Sequence, residues 1–166
     1  MDKPDLHLIH GKALSLSGPA LLELVREVLA KGVPFRFRAK GWSMSPFIRD
    51  GDVILIAPFS NTRPRLGDVV AVNHPETGRL VVHRVIGKNH QSCLIQGDNL
   101  SGENDGWVPM EKIMGRVTRV ERNGKKVWLG LGLERYGIAF FSRIGLLVSF
   151  SLLYGKIKKL RGKGQS

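Results

Sequence analysis

Apolar residues recur at intervals of three and four between Gly18 and Gly32, with charged residues between them. This period predicts an amphipathic helix, which ends at Gly32 because glycine readily adopts the left-handed conformation that closes a helix. We expect the helix to pack on a core, since it lacks the second helix of a DNA-reading helix-turn-helix. Its apolar positions are Leu21, Leu22, Leu24, Val25, Val28 and Leu29.

From Pro34 to Leu131 the pattern changes to short apolar runs that are rich in Val, Ile and Phe. Turn-forming pairs such as Asp-Gly and Gly-Asp separate these runs, as in a β domain. Thr77-Gly78 and Asn123-Gly124 each predict a turn between two strands. The predicted strands are Phe35–Phe37, Val53–Ala57, Val69–Val72, Leu80–Ile86, Cys93–Ile95, Ile113–Val120 and Val127–Leu129.

The two patterns together predict a mainly β protein of the α+β class, with an N-terminal amphipathic helix and a C-terminal apolar helix. The 166 residues, 42% of them hydrophobic, suffice for one domain with a core and are few for two. We divide the chain into an N-terminal segment and helix (1–33), a β-rich domain (34–132), and an apolar helix with a basic tail (133–166). Residues 1–16 are polar and mixed in charge, so we expect no secretory signal there.

The apolar run 137–154 admits three interpretations. It contains a single charge, Arg143, and its length is at the short end of what a membrane-spanning helix needs. A helix lying in the membrane interface and a helix buried in the core are the other two. Residues 156–163 follow with five Lys and Arg, an arrangement typical of a segment that lies on anionic lipid.

Charge indicates the kind of partner. The chain has 26 Lys and Arg against 14 Asp and Glu, a net charge of +12, which favours binding to an acidic surface. The position of the basic tail favours an anionic membrane bound through residues 137–163. We expect no specific nucleic acid, since aromatic residues make up 7% of the chain and no stacking platform is visible. The protein is therefore predicted to be membrane-associated, either peripherally or by a single span. The sequence does not indicate on which side of the membrane it lies.

Ser43 is the candidate nucleophile. It lies in the segment 41–52, whose sequence is Gly-Trp-Ser-Met-Ser-Pro-Phe-Ile-Arg-Asp-Gly-Asp. A serine hydroxyl is almost un-ionised at neutral pH, so it needs a base, and neutral imidazole suits that task. His83, forty residues later, is the candidate base. Gly41 leaves room for a substrate backbone, and Pro46 stiffens the turn that presents the serine.

Strand alternation predicts the surroundings of His83. Val81, His83 and Val85 would share one face of their strand, with Val82 and Arg84 on the other. We therefore expect the imidazole on the apolar side of a partly buried strand. No cofactor is expected: Cys/His clusters of the zinc type are absent from the sequence, and the single cysteine, Cys93, cannot form an internal disulfide.

Five motifs follow one another along the chain: Gly-x-Ser-Met-x-Pro at 41–46, Asp-Gly-Asp-Val at 50–53, Gly-Asp-Val-Val-Ala-Val at 67–72, His-Arg-Val at 83–85, and Gly-Asp-Asn at 97–99 with Asp105, Val108-Pro109 and Gly115-Arg116-Val117 after it. In this order they resemble the signal peptidase superfamily, which also contains the self-cleaving SOS-repressor proteases. The resemblance runs from about Phe35 to Val120. Most bacterial members use a lysine as the base, whereas His83 at this position resembles the endoplasmic-reticulum and archaeal type, a Ser-His enzyme with an aspartate.

The resemblance implies a signal-peptidase-like complex β fold and a serine endopeptidase that cleaves a precursor protein or peptide. It also implies Asp105 as the carboxylate that orients His83, because in that family the aspartate nearest the base follows Gly-Asp-Asn by six or seven residues. Asp98 is the alternative orienter, or an organiser of its loop, since an aspartate in a turn commonly bonds its own backbone.

The oxyanion of an acyl-transfer reaction needs hydrogen-bond donors, and the backbone N–H of Ser43 is the first candidate. Many signal peptidases carry a serine two residues before the nucleophile to supplement it. Gly41 stands there in this chain, as it does in the mitochondrial inner-membrane and SOS-repressor types. A main-chain amide or the Ser45 hydroxyl could be the second donor, and the sequence leaves that choice open.

Two other functions stay in view. One is a self-cleaving regulator of the SOS-repressor type, but such proteins usually cut an Ala-Gly or Cys-Gly bond, and neither pair precedes Ser43. The other is a non-catalytic module on the same scaffold that binds membrane or nucleic acid, for which the net charge is the evidence.

Overall fold

The computed structural model describes residues 5–9, 12–16, 18–99 and 105–143, the first two ranges by their backbone alone. The prediction of a mainly β protein is confirmed. The helices are α1 (Gly18–Ala30) and α2 (Glu134–Arg143). The strands are β1 (Asp5–Ile9), β2 (Lys12–Leu16), β3 (Phe35–Arg38), β4 (Val53–Ala57), β5 (Val69–Asn73), β6 (Leu80–Lys88), β7 (Ser92–Gln96), β8 (Trp107–Pro109), β9 (Ile113–Arg122) and β10 (Lys125–Val127).

Within the described ranges, strands β3 to β10 form one antiparallel sheet of eight strands. Its order is β3-β4-β9-β5-β6-β7-β8, with β10 paired to β9. Strands β1 and β2 form a separate hairpin. The order brings β5 and β6 to the middle of the sheet, so the strand that carries His83 is held on both sides.

Helix α1 lies where the apolar period predicts it, and it buries Leu21, Leu22, Val25 and Leu29. Gly32 ends it with a φ of +76°. The N–H of Val33 donates to the carbonyl of Val28 at 3.2 Å, which satisfies a carbonyl of the last turn.

The Asn123-Gly124 hairpin is confirmed, but the strand predicted after it is misplaced. Both turn residues have positive φ angles, 51° and 75°, which suits a tight two-residue turn. The turn pairs Lys125 with Arg122 and Val127 with Val120, so β10 ends at Val127. The expected strand Val127–Leu129 is therefore wrong in its bounds, because the hairpin turn sets where pairing starts.

Strand β6 separates two apolar clusters, as alternation predicts. Val82 packs against the cluster that contains α1 and the inner residues of β3 and β4. Val81 and Val85 belong to the other cluster, with Ile95 of β7 and Val108 of β8. Strand β8, which the sequence analysis does not predict, supplies part of this second core.

Helix α2 contains the first seven residues of the apolar run 137–154, and its Ile138, Ala139 and Ser142 are buried. Residues 144–154 and the basic tail 156–163 lie outside the described residues. In the described ranges, neither α1 nor α2 has the length and apolar character that crossing a membrane requires.

Candidate active site

Ser43 lies on an exposed turn between β3 and β4. The N–H of Ser45 donates to the carbonyl of Trp42 at 3.0 Å and closes this turn around the candidate nucleophile. Gly41 has a φ of +87°, which residues with a Cβ rarely adopt, and its N–H donates to Asp50 Oδ1 at 2.9 Å. The peptide bond before Pro46 is cis. Gly41 thus allows the backbone conformation of the loop, in addition to leaving room for a substrate beside Ser43.

The far end of the loop is fixed by Asp52, which is buried. Arg122 of β9 donates to both of its oxygens, from Nε at 2.8 Å and from Nη2 at 2.7 Å. The same Nη2 donates to the carbonyl of Phe47 at 3.1 Å. The hydrogen bond with Asp52 raises the pKa of Arg122. A bidentate pair of this kind adds geometric specificity, so the loop that carries Ser43 is tied to strand β9 of the sheet.

His83 lies in β6 opposite Val70 of β5, with its side chain only 12% exposed. Its Nδ1 is hydrogen-bonded to Oδ2 of Asp105, which is 16% exposed. An ionised carboxylate only accepts hydrogen bonds, so Nδ1 carries the proton and Nε2 keeps its lone pair. This is the tautomer that a general base acting on a serine requires.

Gly97 brings the serine loop and the histidine together. A Cβ at this position would lie 2.5 Å from the carbonyl oxygen of Ser43 and 3.3 Å from Nε2 of His83. The N–H of Asn99 also donates to the carbonyl of Ser43 at 2.7 Å. The free nitrogen of His83 and the backbone of Ser43 therefore lie beside the same glycine.

Asp98 does not contact His83 by a hydrogen bond. Both of its oxygens accept from Arg84, from Nε and Nη2, each at 2.7 Å, and both side chains are fully buried. Burial raises the pKa of the Asp98 carboxyl, and the charge of Arg84 opposes that rise. The geometry matches the assignment of Asp105 as the orienter and of Asp98 as the loop organiser, while the catalytic roles themselves stay predictions.

Arg84 contacts four separate segments of the chain, which the sequence analysis does not anticipate. Besides Asp98, its Nη1 donates to the carbonyls of Gly67 and Gly130, each at 2.9 Å, and its guanidinium lies 5.6 Å from the ring centre of Phe47. The sequence does contain a signal for this role, because a basic residue such as Arg84 on the inner face of a buried strand needs an acidic partner.

His74 is the other residue that the sequence analysis misses. It directly follows β5, is 8% exposed, and its Nε2 lies 3.7 Å from Oδ1 of Asp105. The 30 residues between them in the sequence carry no local pattern that links the two.

The oxyanion donors stay predictions. Among residues 18–99 and 105–143, no protein acceptor receives a hydrogen bond from the N–H of Ser43 or from the Ser45 hydroxyl. The choice of the second donor therefore stays open.

The family model described as Peptidase S24-like matches residues 20–118, more than half of the chain. The matched range contains Ser43, His83 and Asp105. The match confirms the resemblance, drawn above from the motifs, to the superfamily of signal peptidases and SOS-repressor proteases. A search of the curated proteins finds no match.

Proposed function

The chain belongs to the Peptidase S24-like family, and from this premise we propose that it is a serine endopeptidase with Ser43 as nucleophile and His83 as general base. Asp105 is the carboxylate that orients the base. One observation carries the proposal: His83 is bonded to Asp105 through Nδ1 while its Nε2 lies beside Gly97, against which the backbone of Ser43 also lies.

In the acylation step, Nε2 of His83 accepts the proton of the Ser43 hydroxyl as the oxygen attacks a peptide carbonyl. Asp105 stabilises the imidazolium that forms. The proton then passes from His83 to the leaving amine, and the peptide bond breaks to leave an ester on Ser43.

In the deacylation step, His83 accepts a proton from water, which attacks the ester. Collapse of the second tetrahedral intermediate returns a proton to Ser43 and releases the new carboxyl terminus. The backbone N–H of Ser43 stabilises the oxyanion in both steps, together with a second donor.

The exposure of the nucleophile supports a polypeptide substrate. Ser43 is at the surface, and the neighbouring Trp42 is 63% exposed. An apolar side chain beside an accessible nucleophile suits a peptide segment that is extended across the surface. We therefore propose a precursor protein or peptide as substrate.

An anionic membrane is the proposed place of action, through residues 137–163. Of the ten large apolar side chains that are exposed in the described residues, six lie between 128 and 141. Lys126 Nζ lies 3.8 Å from the ring centre of Trp128, and Trp beside Lys is typical of the membrane interface. The six are Trp128, Leu129, Leu133, Tyr136, Phe140 and Phe141.

The test is mass spectrometry of the products formed from candidate precursors. Wild type and Ser43→Ala are compared, with Ser60→Ala as the matched control, because Ser60 is an exposed loop serine outside the site. We expect one defined cut that disappears with Ser43→Ala alone. A cut that persists in Ser43→Ala would contradict the proposal. A cut within the chain itself, at a rate independent of protein concentration, would favour the self-cleaving regulator instead.

A further inference from the structure

Asp105 lies between two imidazole rings. Its Oδ2 is hydrogen-bonded to Nδ1 of His83, and its Oδ1 lies 3.7 Å from Nε2 of His74. We propose that His74 is a positioning residue, which holds the orienting carboxylate by its second oxygen. The kinetic part of this inference rests on the proposed function, but the structural part does not.

The hydrogen bonds of His74 determine which of its nitrogens carries the proton. Its Nδ1 accepts from the backbone N–H groups of Glu76 and Thr77, each at 3.3 Å. A ring nitrogen that accepts cannot carry a hydrogen, so the proton of the neutral ring is on Nε2. The positive end of an N–H bond therefore faces Asp105. At 3.7 Å the contact is longer than a hydrogen bond, so it acts by electrostatic attraction and by filling space.

The hairpin of β5 and β6 holds both histidines in a fixed relation. The N–H of His74 donates to the carbonyl of Arg79, and the N–H of Gly78 donates to the carbonyl of His74, each at 2.9 Å. His83 follows on the next strand, paired with Val70. Because His74 is only 8% exposed, its ring has little freedom to turn away. One rigid hairpin thus presents two imidazoles to a carboxylate from a distant part of the chain.

Asp105 depends on this support through its side chain and not through its backbone. The N–H of Ile95 donates to the carbonyl of Gly106, the next residue, at 3.3 Å. In the described residues, the carboxylate has no hydrogen-bond donor other than His83. Without His74 it can rotate about its side-chain bonds and leave Nδ1 of His83 for part of the time. A misplacement of about 1 Å in a catalytic group can cost about a hundredfold in rate.

Two substitutions separate positioning from a purely structural role in the turn. His74→Asn keeps an acceptor near the position of Nδ1, for the N–H groups of Glu76 and Thr77, but removes the group that faces Asp105. His74→Gln reaches the position of Nε2 with its amide nitrogen but loses that acceptor. We expect kcat to fall by about tenfold in His74→Asn with KM unchanged, and by less than about threefold in His74→Gln. The reverse order would overturn the proposal, since it would mean that His74 only caps the turn.

The ¹⁵N shifts of the imidazoles test the same idea without catalysis. In full-length Ser43→Ala protein we expect His83 protonated on Nδ1, with a mixture of tautomers once His74→Asn is added. An unchanged His83 tautomer would overturn the proposal. If His74→Asn does not fold, the parent protein decides: His74 must be protonated on Nε2, and protonation on Nδ1 would refute the inference. A wild type without Ser43-dependent cleavage would end the proposed function but leave this test valid.

Discussion

Arg84 and Asp98 form a fully buried ion pair with two hydrogen bonds of 2.7 Å, and each is adjacent in sequence to a residue of the site. Arg84 follows His83, and Asp98 follows Gly97. The pair therefore holds the Gly97 loop against β6, and Asn99 of that loop binds the carbonyl of Ser43. The loop of Ser43, the strand of His83 and the loop of Gly97 are connected through the guanidinium of Arg84.

Breaking this pair should destabilise the fold more than it changes the chemistry. Asp98→Asn leaves a buried arginine without its countercharge, which costs about 3 to 5 kcal/mol. We expect a loss of this size in the free energy of unfolding, measured in urea. The double variant Arg84→Met/Asp98→Leu should lose less free energy of unfolding than Arg84→Met or Asp98→Leu alone, because no buried charge remains unpaired. A loss in the double variant equal to the sum of the losses in the two single variants would contradict this account.

Removing the nucleophile or the base should abolish cleavage without unfolding the protein. Ser43 is exposed, so Ser43→Ala costs no core packing, and His83→Ala leaves the neighbouring cluster in place. We expect the loss of nearly all turnover in both, with near-native melting temperatures. His83→Lys should also be inactive, because a lysine must be desolvated to act as a base near neutral pH. Turnover in Ser43→Ala at the wild-type rate would refute the mechanism.

The orienting carboxylate should affect rate and leave stability nearly unchanged. Asp105→Asn is expected to lower kcat by about a thousandfold or more, because an amide favours the wrong tautomer of His83. Asp98→Asn should show the opposite pattern, with a large loss of stability and a smaller loss of turnover in the folded fraction. Near-wild-type kcat in Asp105→Asn, with an inactive Asp98→Asn, would reverse the two assignments.

The sequence predicts those features of the site that depend on a local pattern of residues. Alternation places His83 beside an apolar face, and the Asn123-Gly124 turn gives the hairpin. The rest depends on pairings between distant segments. Arg122 contacts Asp52 only because β9 lies beside β4. His74 lies near Asp105 only because the strand order of the sheet brings their two segments together. A single sequence carries no signal for such contacts.

Glu134 provides a pH-dependent contribution to stability. Its Oε1 accepts from the N–H groups of Gly130 (2.7 Å) and Gly132 (2.9 Å). Burial raises the pKa of the Glu134 carboxyl, but these donors and the charge of Arg84 outweigh it and hold the pKa below its ordinary value. The stabilisation is therefore present above about pH 4.3, the ordinary glutamate value, and is lost as pH falls through the lower folded-state pKa.

Glu134→Gln should accordingly be less stable than wild type near neutral pH, with a gap that closes as the pH falls below the ordinary glutamate pKa. Unfolding in urea across this range measures the gap. Glu111→Gln is the control, because it removes an exposed carboxylate that accepts no such hydrogen bonds. A gap of constant size at every pH would mean that the side chain acts by packing and not by charge.

Binding to anionic membranes should depend on the exposed apolar side chains of α2 and on the basic tail. Each Lys or Arg at an acidic surface is worth about 1 kcal/mol, so the five charges of 156–163 could contribute roughly 5 kcal/mol at low salt, less as salt screens them. Phe140→Ser/Phe141→Ser should weaken binding to acidic vesicles by at least about tenfold. Val33→Ser, at an apolar position that is 51% exposed elsewhere on the fold, is the matched control.

Extraction separates the three interpretations of the run 137–154. A helix in the interface should be released by high salt or carbonate, and a spanning helix only by detergent. A helix buried in the core should leave the protein in the soluble fraction throughout. Truncation after Arg143 keeps the buried residues of α2, so it should give a soluble, active domain in the first two cases and a misfolded one in the third. Full-length protein that stays soluble and does not bind acidic vesicles would end the membrane proposal, because neither apolar burial nor the tail's charge would then be acting on lipid.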